Sequence, residues 1–312
     1  MNSQLQMHLS CITLGAPNLP PHIGDWNMPA TPTVQRRMLG AELRRLREGL
    51  GLTADEIAAR LGWHQTKVSR VENGRSGVRA HEVEAVLDVY EVTDPATRDG
   101  LSRLALEGKR RMWWTPYADV ITPRYSSYIA LEAEASSMRS FRHVLVPGLL
   151  QTPEYARAVT SALQPDSSPE AIDALVNVRL ARQNAAFRRA DPLDFRAVVD
   201  EAALRRVIGG PRAMVKQLRH LLEASEEPHI TVQVLPFASG EHIGLMGSFA
   251  ILQFRIRSDL DVVYTESHTS NIQLERATDL MTYSRVFEGV CGAALDVAPS
   301  RDLIAHVVKD LE

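Results

Sequence analysis

The chain has 312 residues, 45% of them hydrophobic and 23% charged, with a formal net charge of −3. That suits a sizeable buried core, two domains rather than one, and the charge content of an ordinary soluble protein. Two cysteines without a CxxC pair, Cys11 and Cys291, exclude a disulfide framework and a cysteine-held zinc site, and no apolar run approaches the roughly 18–20 residues that a bilayer-spanning helix needs.

Residues 1–32 carry Pro17, Pro20, Pro21, Pro29 and Pro32 and no lysine or arginine, a composition that predicts a flexible leader. They lack the basic start and apolar block of a secretory signal, so a reducing, cytoplasmic setting is expected. Helical spacing runs from Val34 to about Arg111. Between Val34 and Met112 there are 15 Lys and Arg against 12 Asp and Glu, while the rest of the chain is acidic, a balance that suits local phosphate contact rather than a polyanion-coating tail. Trp113-Trp114-Thr115-Pro116-Tyr117 through Pro123 breaks the pattern. The expected domains are therefore a leader (1–32), a helical domain (33–111), a junction (112–130) and a mixed domain (131–312). In the last, helix-like stretches at about 124–138, 153–164, 168–189, 211–224, 271–290 and 299–312 mix with strand candidates. Those are Phe195–Val199, Ile230–Leu235, Ser248–Phe254 and Val262–Thr265, rich in β-branched and aromatic residues. The predicted fold class is all-α followed by α+β.

The segment Leu52–Gly74 holds the densest signal. Thr53 followed by Glu56 spells a capping box. Ile57, Ala58 and Leu61 form an apolar face, and Gly62 suits a tight left-handed turn. His64 or Gln65 then opens a second short helix with a buried stripe of Val68 and Val71, closed by Asn73-Gly74. Two short helices around a three- or four-residue turn are the bihelical unit whose second helix enters the major groove. Its polar side offers Gln65 for adenine and Arg70 or Lys67 for guanine, with Thr66 and Ser69 suited to phosphate or base edges and Asn73 at the helix end. Arg44, Arg45 and Arg47 before it, and Arg75 and Arg79 after it, are candidate phosphate clamps. The plainer reading is a pair of amphipathic helices with a solvated polar face.

The run Gln65-Thr66-Lys67-Val68-Ser69-Arg70-Val71-Glu72-Asn73-Gly74 resembles the recognition helix and stop of Cro/C1-type (XRE-family) helix-turn-helix regulators. Arg44-x-x-Arg47-x-x-x-Gly51-Leu52-Thr53 resembles that family's first helix and its exit. The resemblance implies a five-helix fold from about Val34 to Tyr90 or Arg111, with Gln65 and Thr66 at the DNA-facing tip and Lys67, Ser69 and Arg70 further along. The Trp63-His64 tip is bulkier than the small polar residues common there. Further along, Leu131–Ala135, Val146-Pro147-Gly148-Leu149-Leu150-Gln151-Thr152-Pro153-Glu154-Tyr155-Ala156, Asp200–Leu204 and Gly247-Ser248-Phe249 resemble a C-terminal domain of unknown function. That domain is common in actinobacterial, Streptomyces-type helix-turn-helix regulators, and a small partner protein encoded nearby is implied by it.

Physically, Pro147-Gly148 is expected to turn between a strand ending at Val146 and a helix beginning near Pro153, a loop whose plainer role is packing. An enzymatic alternative rests on Arg196, Ser248 and Glu266 at strand positions, an order that resembles ADP-ribosyltransferases, in which the glutamate stabilises an oxocarbenium-like transition state. The usual Ser-Thr-Ser and paired-acid motifs are absent. Glu241-His242, His268 and Glu266 lack metal-ligand spacing, and Gly209-Gly210-Pro211 suits a helix stop and start rather than a phosphate cradle. Trp113-Trp114 reads as a packing anchor at the junction. The sequence thus predicts a cytoplasmic regulator that binds double-stranded DNA as a homodimer, needs no cofactor or metal, and carries a second domain for a ligand or small partner protein. The alternative is an enzyme with a DNA-binding appendage, alone or as half of a toxin–antitoxin-like pair.

Overall fold

A computed structural model describes residues 34–107, 113–117, 119–255, 260–267 and 270–312. The leader expected over 1–32, with Cys11, and the candidate His268 lie outside the described residues.

Among the described residues five helices come first: α1 (Val34–Gly49), α2 (Ala54–Leu61), α3 (Gln65–Glu72), α4 (Ala80–Val89) and α5 (Pro95–Glu107). Their apolar stripes meet in one core that includes Leu39, Leu43, Ile57, Val68, Val71, Val83 and Leu87. Each such side chain contributes about 1.5–3 kcal/mol when fully buried, which is what fixes helices as short as α2 and α3. Gly40 is where α1 crosses the end of α3, and a Cβ there would stand 2.4 Å from the Val71 carbonyl oxygen.

Trp113 and Trp114 meet edge to face at 5.4 Å, and Trp114 packs with Ile121, Ile129, Ala130 and Val178, the anchoring role expected of them. The remainder is built on a six-stranded mixed sheet ordered β3-β2-β1-β4-β5-β6. Its strands are β1 (Ser137–Arg142), β2 (Asp194–Asp200), β3 (Ile230–Leu235), β4 (Phe249–Gln253), β5 (Val262–Glu266) and β6 (Asn271–Leu274). The first three pair in parallel and the last three antiparallel. The helices are α6 (Pro123–Glu134), α7 (Pro153–Leu163), α8 (Pro169–Phe187), α9 (Glu201–Arg205), α10 (Pro211–Ala224), α11 (Ala277–Ala293) and α12 (Val297–Leu311).

Alternation along the strands sorts side chains to two faces. Met138, Phe195, Ala197, Val199, Val232, Val234, Leu252 and Tyr264 join a core shared with Leu149, Tyr155, Leu218, Leu221 and Ile304. Phe141, Val198, Phe249, Ile251 and Val263 face Phe287 and Val290 of α11 on the other side. The first helical unit leans on this second one through α1: Met38 packs against the larger core, and Arg37 pairs with Glu275 at 3.3 Å.

Three expectations need correction. The helix expected over 124–138 stops at Glu134, because Ser137–Arg142 pairs on both sides within the sheet as β1. The strand expected to end at Val146 therefore ends at Arg142, and residues 148–150 form a single 3-10 turn. The helix expected from 271 begins at Ala277, after the edge strand β6.

Candidate nucleic-acid interface

The bihelical unit is assembled by local chemistry. Thr53 Oγ1 accepts from the Glu56 amide at 3.2 Å, and Glu56 Oε2 accepts from the Thr53 amide at 2.7 Å, which completes a capping box at the start of α2. Gly62 takes a left-handed φ of 65°, and the Trp63 amide closes the turn onto the Ala58 carbonyl at 2.8 Å. Helix α3 follows at once and ends where Gly74 takes φ 68°, with the Ser76 amide donating to the Arg70 carbonyl at 3.1 Å.

Val68 and Val71 are buried, which fixes the rotation of α3. That rotation leaves Gln65, Thr66 and Arg70 exposed, joined by His64 at the N-cap. The side chains of Gln65, Thr66 and Arg70 make no hydrogen bond or ion pair among the described residues. Ser69 is half-buried, and Arg75 and Arg79 are exposed in the segment that follows. No side chain caps the start of α3; the Lys67 amide donates to the His64 carbonyl at 2.8 Å, which leaves the Gln65 and Thr66 amides as the ones a phosphate oxygen would meet.

Other named residues are already occupied. Lys67 Nζ pairs with Glu82 Oε1 at 2.7 Å and stands 3.8 Å above the Trp63 ring, so it ties α3 to α4 through an ion pair and a cation–π contact. This also explains the bulky tip: Trp63 is partly packed against the helical core and gives Lys67 its platform. Arg47 is no phosphate clamp. Its side chain is 11% exposed, it grips Glu72 through Nε at 2.7 Å and Nη2 at 2.9 Å, and Nη1 donates to the Leu52 carbonyl at 2.7 Å. The bonds to Glu72 hold its guanidinium above the ordinary range. Arg47 therefore sets the angle between α1 and α3. Asn73 is exposed, but its Nδ2 donates to the Ser69 carbonyl at 2.7 Å as a helix-end clasp. Arg44 and Arg45 are exposed on α1, paired with Glu48 and Glu42 of the same helix.

The enzymatic constellation does not assemble. Arg196 lies on the α11 face of β2, in register with Arg139, whereas Glu266 has the parity of Tyr264 on the opposite face of the sheet. Glu266 pairs with Arg142 at 3.0 Å, and Ser248 precedes β4, where its hydroxyl accepts from the His143 amide at 3.1 Å. One dinucleotide cannot meet an arginine and a glutamate through a packed sheet. Glu241 and His242 fare no better: among the described residues no group of three or more His, Cys, Asp or Glu could hold a metal ion.

The capped α2, the glycine turn and the outward polar tip of α3 define a helix-turn-helix protein, a class whose second helix enters the DNA major groove, and residues 38–101 match the family described as Helix-turn-helix domain. The chain belongs to the family described as Domain of unknown function (DUF5753), which matches residues 125–306. No curated protein and no solved structure matches it. Among the described residues, no helix is long and apolar enough to cross a membrane.

Proposed function

We propose that this protein is a cytoplasmic transcription regulator that binds double-stranded DNA in a sequence-specific manner, with α3 in the major groove. The observation that carries the reading is the tip of α3, where Gln65, Thr66 and Arg70 stand exposed and uncommitted while Val68 and Val71 anchor the helix behind them. Gln65 reads adenine through paired bonds to N6 and N7, Arg70 reads guanine, and Arg75 and Arg79 hold flanking phosphates. The protein acts as a homodimer, since one eight-residue helix reads few bases and two-fold pairing sets two such helices about 34 Å apart on one DNA face. The second unit takes the regulatory ligand or a small partner protein, and no catalytic step is assigned to it.

The test is a footprint on the upstream region of its own gene, followed by fluorescence anisotropy on the protected site. Arg70→Ala and Gln65→Ala are each expected to lose roughly 1–3 kcal/mol of discrimination at one base position, a tenfold to hundredfold relaxation. Unchanged affinity and sequence preference in both variants would overturn the reading. Two controls separate roles at the same surface. Arg75→Gln should weaken all sequences alike and lower the salt slope of binding by about 0.9. Lys67→Gln, which releases Glu82 rather than a base, should change affinity less than Arg70→Ala does; an equal or larger loss would place Lys67 on the DNA.

A further inference from the structure

The second unit holds a cavity of about 640 Å³ between α6, α8 and the turn that carries the Val146–Pro153 run, in the size range of small-molecule sites. One side is apolar, formed by Leu145, Val146, Leu149 and Val159, with Leu163 exposed at the rim. The other side is charged, and its charges do not balance.

Of three arginines in the wall, two are neutralised. Arg182 grips Glu132 through two bonds of 2.8 and 2.6 Å, and Arg142 pairs with Glu266 at 3.0 Å. Arg179 has no carboxylate within ion-pair distance among the described residues. Its Nη1 donates to Gln151 Oε1, a neutral partner, and its Nε is buried with no hydrogen-bond partner at all. Burial pushes this guanidinium below its usual range, outweighing the opposing pull of Tyr125 and of the more distant Glu266. A buried charged donor left unpaired is costly, and such groups ordinarily find a partner.

The surroundings hold Arg179 in place. Gln151 is itself buried, and its Nε2 donates to the Val146 carbonyl at 2.7 Å, so its oxygen is fixed as the acceptor facing Arg179. Gln183 donates to the carbonyls of Gly148 and Gln151, and Gln217 donates to that of Leu150 while accepting from the Thr152 amide. Three buried or half-buried amide side chains thus brace one short turn, giving a preorganised rim beside a fixed, unmatched cation.

We infer that this cavity binds a small amphipathic anion, whose single carboxylate or phosphate head pairs with Arg179 and whose hydrocarbon body lies against Leu145, Leu149 and Leu163. A planar, delocalised guanidinium suits either head. The inference rests on reading the second unit as the ligand-binding part, but not on DNA contact by α3.

Calorimetric titration of the full chain tests it with decanoate, decyl phosphate and decan-1-ol, each below its aggregation threshold. At least one anion is expected to bind ten times or more tightly than the alcohol, and the tighter of the two assigns the head. Arg179→Met should weaken the anion at least tenfold and leave the alcohol unmoved, while Leu163→Trp, at an exposed position, should weaken both. Should Arg179→Met fail to fold, Arg179→Lys, which keeps the charge but loses the planar fork, is to be read in its place with Leu163→Trp. Neither anion binding more tightly than decan-1-ol, no binding of either anion, or anion affinity untouched by these substitutions overturns the inference. Anisotropy on the same preparations keeps the two readings apart. Normal Arg70-dependent DNA binding without anion binding sinks the cavity alone, and anion binding without DNA binding sinks the role of α3 alone.

Discussion

Replacing Arg182 by methionine is expected to destabilise the second unit by about 3–5 kcal/mol, because the substitution strands a buried carboxylate. Glu132 and Arg182 are 2% and 7% exposed, and their paired bonds join α6 to α8 beneath the cavity. Burial alone would lower the pKa of Arg182, but the Glu132 carboxylate more than offsets it and the guanidinium is held well above its usual range. Two tyrosines complete the environment. Arg182 Nη1 donates to the Tyr125 hydroxyl at 2.6 Å, and the guanidinium lies about 5 Å from the Tyr128 ring, whose own hydroxyl is pushed up by burial. Methionine keeps most of the volume and removes every one of these bonds, so the expected loss is electrostatic rather than a cavity effect. For a folded unit of this size, the midpoint of thermal unfolding should fall by roughly 6–20 °C. Glu132→Leu should cost a similar amount, because it leaves the cation unpaired. Combining Arg182→Met with Glu132→Leu removes both charges together and should recover most of the loss. A double variant whose loss equals the sum of the two single losses would show that the pair contributes no coupling, against the geometry described above.

The legible part of this molecule is the part whose chemistry is local. The capping box at Thr53 and Glu56, the left-handed glycines at 62 and 74, and the stripe of Val68 and Val71 all act within a few residues, so α2 and α3 and the exposed side of α3 can be read from spacing. The engagements of Lys67 and Arg47 could not be read that way. Their partners Glu82 and Glu72 lie 15 and 25 positions away, and only folding brings them near. Strand β1 was hidden because Ser-Met-Arg-Ser-Phe-Arg sets its apolar residues, Met138 and Phe141, three apart and its arginines three apart, a helical spacing that continues from the helix before it. Strand β6 was hidden by its length of four residues before a long helix. The parity of Arg196 is visible within its own strand, since Phe195, Ala197 and Val199 alternate around it. That Glu266 points to the opposite face depends on which core each strand's apolar side joins, a tertiary fact. Arg179 and Arg182 were missed for the same reason: charges three apart on a helix are ordinarily solvated, and nothing local marks this pair as turned inward.

Gly40→Val is expected to disable the reader most directly, through geometry rather than through any DNA contact. A Cβ on Gly40 would lie 2.4 Å from the Val71 oxygen, 2.5 Å from the Glu72 oxygen and 2.8 Å from the Glu72 carbonyl carbon. All three are backbone atoms at the end of α3, so no rotamer change relieves the clash. Either α3 moves or α1 does, and the bonds from Arg47 to Glu72 and to the Leu52 carbonyl oppose both motions. Alanine at this helix-interior position gains about 1 kcal/mol of helix propensity over glycine. Overpacking costs about 1–3 kcal/mol and occasionally more, so Gly40→Ala should be destabilising on balance and Gly40→Val more strongly so. In a unit of this size each lost kcal/mol lowers the melting midpoint by roughly 4–8 °C. DNA affinity should fall at least tenfold even where the variant stays folded, because base readout tolerates little displacement of Gln65 and Arg70 from the groove. Gly49 supplies the control within the same helix: a Cβ there meets nothing within 4 Å, and Gly49→Ala should be neutral or stabilising by about 0.4–1 kcal/mol. If Gly40→Ala melts and binds as the natural protein does, then α1 and α3 are not locked at this crossing, and the fixed presentation of the α3 tip loses its structural basis.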